Sequence, residues 1–370
     1  MALTLHGTVS DNTVVLDRRS AKPLIINGDM QLAQRATSVT GITGSGYNTV
    51  DRMKVDLSDN GTWTHTQDTD VPTGEGFAKS WKLDCTTADT SVAAGTYHLA
   101  RYIFEGQDLQ LLKKGTASAE KVTVSFWIKA TVTGTYIAEL FDTDNSRQIS
   151  QSYTVSSSNT WEKKVLSFAG DTSGTLSNDN GSSFAINLWL GAGSDFSGGT
   201  LNTSWASSTN ANRAVGQVNS GSSTSNNVYF TGLQMEVGEY DSTTIPAFQH
   251  ESYSDNLQRC KRYCQSTFSQ GTAIGSATAV GIIVTCATGT GIGRTSTGHQ
   301  FPVSFRAPPT IVIHNQTGGT TGSGRNGDTG GLIAMSAGLA STDSAHFENS
   351  AAMGNDGAQL QFQFSATSEL

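Results

Sequence analysis

The sequence predicts an all-β protein in which a short helix separates two β-sandwiches. Short runs of β-branched and aromatic residues recur along the 370 residues, bounded by clusters of Gly, Ser, Asn and Asp. Charged residues make up only 15% of the chain, whereas Ser and Thr contribute 44 and 48 residues. Repeated short strands with uncharged polar turns and little helical periodicity are typical of β-sandwiches.

The clearest strand signal lies in residues 121–129. Apolar and other residues alternate there, which places one set on a single face of a strand: Val122, Val124, Phe126 and Ile128. Four further apolar-rich runs predict strands of the same β region: Gly95–Phe104, Thr135–Phe141, Phe184–Leu190 and Val228–Val237. Residues 310–313 and 360–364 have the same character and predict strands of the C-terminal region.

One helix is predicted after Ser252, which begins a Ser-Tyr-Ser-Asp run. A hydroxyl there can accept a hydrogen bond from the free amides of a first helical turn. Leu257, Cys260 and Cys264 follow at helical spacing. We expect this apolar stripe to form the oligomer interface of a homotrimer. The alternative is that the helix packs on its own chain.

Changes in composition divide the chain into four segments. Residues 266–370 contain three Arg, no Lys and five acidic residues, which marks a separate C-terminal domain whose surface suits contact with sister chains. The predicted segments are an N-terminal arm (1–23), a first β-domain (24–244), a helical connector (245–268) and a C-terminal β-domain (269–370).

Charge and targeting signals narrow the classes of partner. The net charge of −8 disfavours nucleic acid and anionic membrane surfaces. The chain shows no basic n-region of a signal peptide and no apolar run long enough to span a membrane. Four scattered cysteines are too few for a disulfide framework. We expect a protein made in a reducing cytosol, without a nucleic-acid partner and without membrane insertion.

The sequence nominates no catalytic residue, metal or cofactor. It contains no HExxH, GxSxG, P-loop or CxxC pattern. A GxGxxG match at residues 322–327 opens no helix, which favours a surface loop over a dinucleotide site. Residues 142–146 begin like a calcium loop, but Arg147 stands where Gly is required, so a hairpin turn is favoured. No second ligand pair accompanies Cys260 and Cys264, so buried thiols are expected there.

Two groups of residues are candidates for binding, and the first lies on strands. Trp127 and Trp189 each point away from the aliphatic face of their strand, with Asn187 beside Trp189 and Glu139 on a neighbouring strand. We expect one outer sheet face to bear both tryptophans, with Glu139 and Asn187 as polar partners. A sugar ring stacks on such an aromatic surface, while Asn and Glu bond its hydroxyls. The alternative is that a loop or a partner chain covers both sheet faces.

The second candidate is the Gly-rich segment 315–331. It offers polar side chains: Asn315, Gln316, Arg325, Asn326 and Asp328. Loops on a rigid scaffold commonly carry binding sites. Single sites of either kind are expected to be weak, with dissociation constants of about 1 mM, and to be strengthened by several copies.

Three ordered stretches carry a family pattern. Residues 24–35 (LIINGDMQLAQR), followed by Tyr47 and Asp51-Arg52, are similar to an "INGxxQxxQRGTS…ADR" opening. Residues 124–127, 160–164 and 196–205 are similar to parts of a jelly-roll domain. Residues 231–238, with Pro246, Phe248, Tyr253 and residues 260–263, are similar to a "TGxQLEVG…PFEHRSY…CQRYY" close. Together they resemble tail-fibre and receptor-binding proteins of tailed bacteriophages, whose jelly roll is related to carbohydrate-binding modules.

The resemblance covers about residues 24–265, and it has departures. Ala36 stands where the family has Gly after Arg35, and Gln249-His250-Glu251 replaces the common Glu-His-Arg. Residues 305–310 (FRAPPT) resemble, less closely, a "MRAxPT" strand in C-terminal domains of the same proteins.

The resemblance implies a jelly-roll fold for residues 24–244 and a non-catalytic virion protein. Such a tail-fibre protein would attach to host cell-surface polysaccharide and would be assembled in the host cytoplasm. Residues 1–23 would dock on another tail protein by strand addition. Three alternatives stay open: a structural virion protein (head fibre, capsid decoration or tail adaptor), a secreted bacterial carbohydrate-binding module, and a depolymerase.

Overall fold

The computed structural model describes residues 22–286, 295–319, 321–350, 353 and 357–370. Almost all regular structure in them is antiparallel strand, and one short helix lies between two β regions, so the predicted all-β fold is confirmed. The predicted arm, residues 1–23, lies outside the described residues except for Lys22 and Pro23. No helix in the described part of the chain is long and apolar enough to cross a membrane.

Two six-stranded antiparallel sheets form the first β region. Their strands are β1 (Ser38–Ile42), β2 (Lys54–Ser58), β3 (Thr62–Asp68), β4 (Ser80–Thr87), β5 (Tyr97–Glu105), β6 (Val122–Ala130), β7 (Gly134–Asp142), β8 (Arg147–Val155), β9 (Glu162–Phe168), β10 (Ser182–Ala192), β11 (Ala206–Ser207) and β12 (Asn227–Val237). The first sheet has the order β1-β3-β4-β12-β6-β9 and the second the order β11-β8-β7-β10-β5-β2. A helical turn, α1 (Ser194–Ser197), and two 3-10 turns, Gly106–Leu112 and Asn210–Asn212, lie in the connections.

The main hydrophobic core lies between these two sheets. Side chains alternate between the faces of a strand, so every second residue of a central strand points inward. Val124, Phe126 and Ile128 of β6 are fully buried in this core, and Phe184, Ile186 and Leu188 of β10 meet them from the other sheet. The predicted inward faces of both strands are confirmed.

A bulge interrupts β12 where its pairing with β6 shifts between Thr231 and Gln234. Gly232 adopts a φ of +62° there, and a Cβ atom on it would lie 2.6 Å from Cζ of Phe77. The next amide, of Leu233, donates a hydrogen bond to the carbonyl oxygen of Gly28 at 2.9 Å. Glycine is therefore required at this position, because both the left-handed backbone and the close ring exclude a side chain.

The motif around Asn27 closes the N-terminal segment onto the sandwich. The Asn27 side-chain amide donates to the carbonyl oxygens of Leu32 and Asp51, each at 3.0 Å. Its oxygen accepts from the Leu32 amide at 2.9 Å, and the Asp51 carboxylate accepts from the Gln34 amide at 3.0 Å. All four residues are buried. These family-like residues therefore have a folding role in this chain.

Helix α2 (Tyr253–Lys261) begins as the sequence predicts, because the Ser252 hydroxyl accepts a hydrogen bond from the Asp255 amide at 3.2 Å. Cys260 packs against Ile26 and Leu32 of the same chain, with Leu257 at the edge of this cluster.

Cys264 lies beyond the helix, in β13 (Cys264–Ser266). Cys260 and Cys264 are each 1% exposed within the single chain. The structure therefore contradicts the expected oligomer interface at these two residues and leaves Leu257 only partly exposed. The helix stripe packs on its own chain, and the homotrimer itself stays a prediction.

Two carboxylates, the buried Glu105 and the partly buried Glu369, join the connector and the C-terminal residues to the sandwich. Glu105 accepts hydrogen bonds from the Arg262 guanidinium at 2.7 and 2.8 Å and from the Tyr263 hydroxyl. Glu369 pairs with Arg35 at 2.8 Å and with the fully buried Arg52. The Arg52 guanidinium also lies 3.5 Å from the centre of the Tyr263 ring. This network of charges holds the two β regions together.

The C-terminal region is a second set of antiparallel strands around its own core. The strands after β13 are β14 (Ile283–Cys286), β15 (Ser296–Gln300), β16 (Thr310–His314), β17 (Ser323–Asn326), β18 (Leu332–Gly338), β19 (Ser344–Asn349) and β20 (Gln359–Thr367). The long strand β20 pairs with β13, β14, β16 and β17 and directs Leu360, Phe362 and Phe364 inward. The GxGxxG match lies largely in β17, so its interpretation as a loop is wrong.

Candidate functional site

The two candidate tryptophans lie on different sheets. Trp127 is on β6 of the first sheet and Trp189 is on β10 of the second. Each ring points away from the core between the sheets, so the two are on opposite sides of the sandwich. The expectation that one outer face bears both is therefore wrong. Side-chain parity is a property of one strand, whereas membership of a sheet depends on which strands pair.

Glu139, Asn187 and Trp189 come together as predicted, but no sugar can reach them in this structure. Asn187 is paired with Glu139 across β10 and β7, and its amide donates to the Glu139 carboxylate at 2.8 Å. The Trp189 indole donates to the same carboxylate at 3.3 Å. Arg213 completes the group with hydrogen bonds of 2.8 and 2.9 Å. Glu139, Asn187 and Trp189 are each 0% exposed.

A segment of the same chain covers this outer face. Phe196 and Leu201, with the buried Ala214, pack against Trp189, and the ring centres of Trp189 and Phe196 are 5.6 Å apart. Arg213 comes from the same segment and compensates the buried charge of Glu139. The alternative considered from the sequence, a face covered by a loop, is the observed one.

Trp127 lines an open cavity of about 330 Å³ on the outer face of the first sheet. Strands β6, β9 and β12 form its floor, the loop between β3 and β4 forms one wall, and the segment before α2 forms the other. The principal side chains around it are Glu75, Phe77, Ser125, Trp127, Lys163, Gln234, Phe248 and His250. Ligand pockets have volumes of about 300–1,000 Å³, so this cavity has the size of a small-ligand site.

Three rings form the aromatic wall of this cavity. The ring centres of Phe77 and Phe248 are 5.1 Å apart in an edge-to-face arrangement, and His250 lies 4.8 Å from Phe248 and 5.4 Å from Phe77. Phe77 also rests on the backbone of Gly232. Edge-to-face packing of this kind stabilises the rings in one position, so the wall is preorganised.

Charged groups surround the same cavity. The His250 imidazole lies 3.8 Å from the Asp29 carboxylate. Burial raises the pKa of Asp29, and the neighbouring His250 opposes that rise. Lys163 and Glu75 line the cavity, and no ion-pair partner lies within 4.0 Å of either among the described residues. An ammonium and a carboxylate are thus available to bond a ligand.

The aromatic surface continues along the first sheet. Trp161 and Tyr229 have ring centres 6.1 Å apart, and the Lys129 ammonium lies 4.3 Å from the centre of the Tyr229 ring. The Trp161 indole donates to Asp70 at 2.9 Å. Burial would raise the pKa of Asp70, but hydrogen bonds from Lys129 and Trp161 outweigh it and lower the pKa. This outer face therefore extends the Trp127 cavity with further rings and polar groups.

The C-terminal candidates are divided between structural and exposed residues. Asn315 is 0% exposed and its side-chain oxygen accepts from the Thr317 amide at 2.9 Å. Asn326 is 3% exposed and its side-chain oxygen accepts from the Asp328 amide at 2.9 Å. Arg325 is partly exposed on β17, and Asp328 is exposed in the turn. Gln316 is partly exposed and its side-chain amide donates to Gln361 at 3.0 Å. The expected binding loop is wrong in part, because a strand crosses it and two of its five candidates hold turns.

No cluster of three or more potential metal ligands occurs in the described residues. Residues 143–146 form the turn between β7 and β8, as the sequence predicts. Asp142 is buried there and binds the Lys114 ammonium and the Asn145 side chain.

Sequence reasoning missed most of the Trp127 cavity. Lys163 faces Trp127 across the pairing of β6 and β9, which only the strand order reveals. Glu75 and Phe77 lie in a Gly-rich loop without periodicity. Phe248 and His250 lie within residues 231–263, which resemble the last of the three tail-fibre patterns. That resemblance indicated a family but no binding site.

No protein-family model matches the sequence, and no curated protein matches it. Several solved structures are similar in part. The enzymatically active domain of tailspike protein 4 of bacteriophage CBA120 is 13% identical with a TM-score of 0.31, covering 58% of this chain and 21% of that one. A putative sugar-binding protein of Bacteroides thetaiotaomicron is 10% identical with a TM-score of 0.32, covering 58% of this chain and 100% of that one.

A family 11 carbohydrate-binding module of a Clostridium thermocellum cellulase is 13% identical with a TM-score of 0.25, covering 60% of this chain and 98% of that one. The match to the tailspike spans about a fifth of that protein's length. Likenesses at these scores carry no argument about function.

Proposed function

We propose that this chain binds glycans at the Trp127 cavity and does not catalyse their cleavage. The observation that carries the proposal is the cavity itself, in which an outward-facing indole, three further rings, an ammonium group and a carboxylate surround about 330 Å³. Sugar rings stack on aromatic faces, and side-chain carboxylates, amides and ammonium groups bond their hydroxyls.

The setting of this site is proposed from the sequence resemblance. Residues 24–265 resemble bacteriophage tail-fibre proteins, which supports a virion protein that attaches to host cell-surface polysaccharide. In that setting, residues 1–23 join another tail protein and the chain forms a homotrimer. Several weak sites on one particle then act together.

Binding is tested on an array of bacterial surface polysaccharides, with affinities measured for those that bind. Trp127→Ala is expected to weaken binding by about tenfold, because stacking and the buried ring area together supply more than 1 kcal/mol. Tyr253→Ala is the matched control, since Tyr253 is 53% exposed on α2 and does not line the cavity. Trp189→Ala provides a second comparison, because that ring is inaccessible.

Two results would contradict the proposal. One is that the wild-type protein binds no polysaccharide on the array. The other is that Trp127→Ala binds as well as Tyr253→Ala while both variants keep the wild-type circular dichroism spectrum.

A structural virion protein is the second candidate function. Exposed apolar side chains of the C-terminal region favour it: Val284 is 47% exposed, Leu332 is 52% exposed and Leu339 is 86% exposed. Such side chains suit contacts with other proteins. Incorporation into particles without any binding to host polysaccharide would select this candidate.

A further inference from the structure

We propose that the sugar bound beside Trp127 carries a carboxylate, and that Lys163 recognises it. This inference rests on the proposed glycan site and goes beyond it by naming the ligand as an acidic, uronic-acid-type sugar.

The position of Lys163 follows from strand pairing. Lys163 of β9 is the direct partner of Trp127 on β6, so both side chains point to the outer face of the first sheet. Both line the cavity. A sugar stacked on the indole therefore presents one edge of its ring toward the ammonium group.

The charge of Lys163 is unusual for this face. Lys82 lies 3.4 Å from the Asp84 carboxylate, and Lys129 pairs with Asp70. Lys163 has no carboxylate within 4.0 Å among the described residues, although the chain has an excess of acidic residues. Lys82 and Lys129 are thus each paired with a carboxylate of the same sheet face, whereas Lys163 is available to a ligand.

The cavity walls make one anionic substituent the best match. A hydrogen bond between an ammonium and a carboxylate is about twice as strong as one between neutral groups. Glu75 also lines the cavity and repels a second negative charge, so a dianion such as phosphate is disfavoured. A single carboxylate on a ring that otherwise carries hydroxyls satisfies both Lys163 and Glu75.

The experiment compares matched polysaccharides. Capsular polysaccharides that contain hexuronic acids are immobilised beside the same polymers after chemical reduction of their carboxyl groups to alcohols. We expect the wild-type protein to bind the acidic forms about tenfold more tightly than the reduced forms. Lys163→Gln should abolish this preference by weakening binding to the acidic forms alone.

Lys121→Gln is the control, because Lys121 pairs with Glu239 and does not line the cavity. It should keep the wild-type preference. If the wild-type protein binds the acidic and reduced forms equally and Trp127→Ala loses this binding, the assignment of the carboxylate is overturned. The proposed glycan binding then remains. An unchanged preference in Lys163→Gln would overturn the role of Lys163. Absence of binding to either form would overturn both this inference and the proposed function.

Discussion

Two histidines buried in the sandwich are expected to make its stability fall in acid. His65 on β3 and His98 on β5 are each 0% exposed. Their rings pack edge-to-face on Trp81 and Trp63, with ring centres 5.7 and 4.5 Å apart. Burial lowers the pKa of His65 to about 3, and burial together with the neighbouring His65 lowers the pKa of His98 well below its usual range.

The direction and size of the effect follow from proton linkage. Because the folded-state pKa values are lowered, the unfolded chain binds protons more tightly than the folded chain. The neutral histidines contribute fully to the free energy of unfolding above the unfolded-state pKa of about 6.5. This contribution is lost as the pH falls toward about 3. As the pH falls from 7 to 5, each buried histidine should lower the free energy of unfolding by about 2 kcal/mol.

Substituting one histidine at a time isolates its share of this loss. Asp51 acts in the opposite direction, since burial raises its pKa to about 6 despite the opposing charge of Arg35. The comparison therefore uses the difference between the free energies of unfolding at pH 7 and pH 5, and not the value at one pH. His65→Gln and His98→Gln should each lose about 2 kcal/mol less than the wild-type protein between pH 7 and pH 5.

Urea unfolding followed by tryptophan fluorescence reports on the first β region, because all six tryptophans lie between residues 63 and 205. His346→Gln, at a partly exposed histidine of β19 outside this sandwich, is the control for the loss of a histidine side chain. The reasoning fails if His65→Gln and His98→Gln lose as much stability in acid as the wild-type protein.

The remaining predictions concern the junction and the cavity wall. Glu369→Ala should lower the free energy of unfolding by about 3–5 kcal/mol, because it leaves the buried Arg52 guanidinium without its carboxylate. Glu348→Ala, on the exposed face of β19, should change the stability by less than about 0.5 kcal/mol in the same urea titration. Gly232→Ala should destabilise the fold by about 1–3 kcal/mol and weaken polysaccharide binding, since the new Cβ would displace Phe77. Gly298→Ala, whose Cβ would meet no atom within 4 Å, should do neither.

The sequence by itself determined the elements whose signal is local. Alternation of side chains in residues 121–129 predicted which residues of β6 face the core, because a strand has a period of two residues. The hydroxyl of Ser252 predicted the start of α2, because capping involves atoms only three residues apart. The same alternation correctly placed Trp127 and Trp189 away from the aliphatic core.

Only the tertiary structure decided which of these residues are accessible. Trp189 became buried because the segment that follows β10, which carries Phe196 and Arg213, folds back over it. The cavity at Trp127 formed because four other segments of the chain converge on β6. Strand pairing and loop packing depend on contacts between residues far apart in sequence, and a pattern along one strand carries no information about them. For that reason the sequence identified the tryptophans, and the fold selected the one that a ligand can reach.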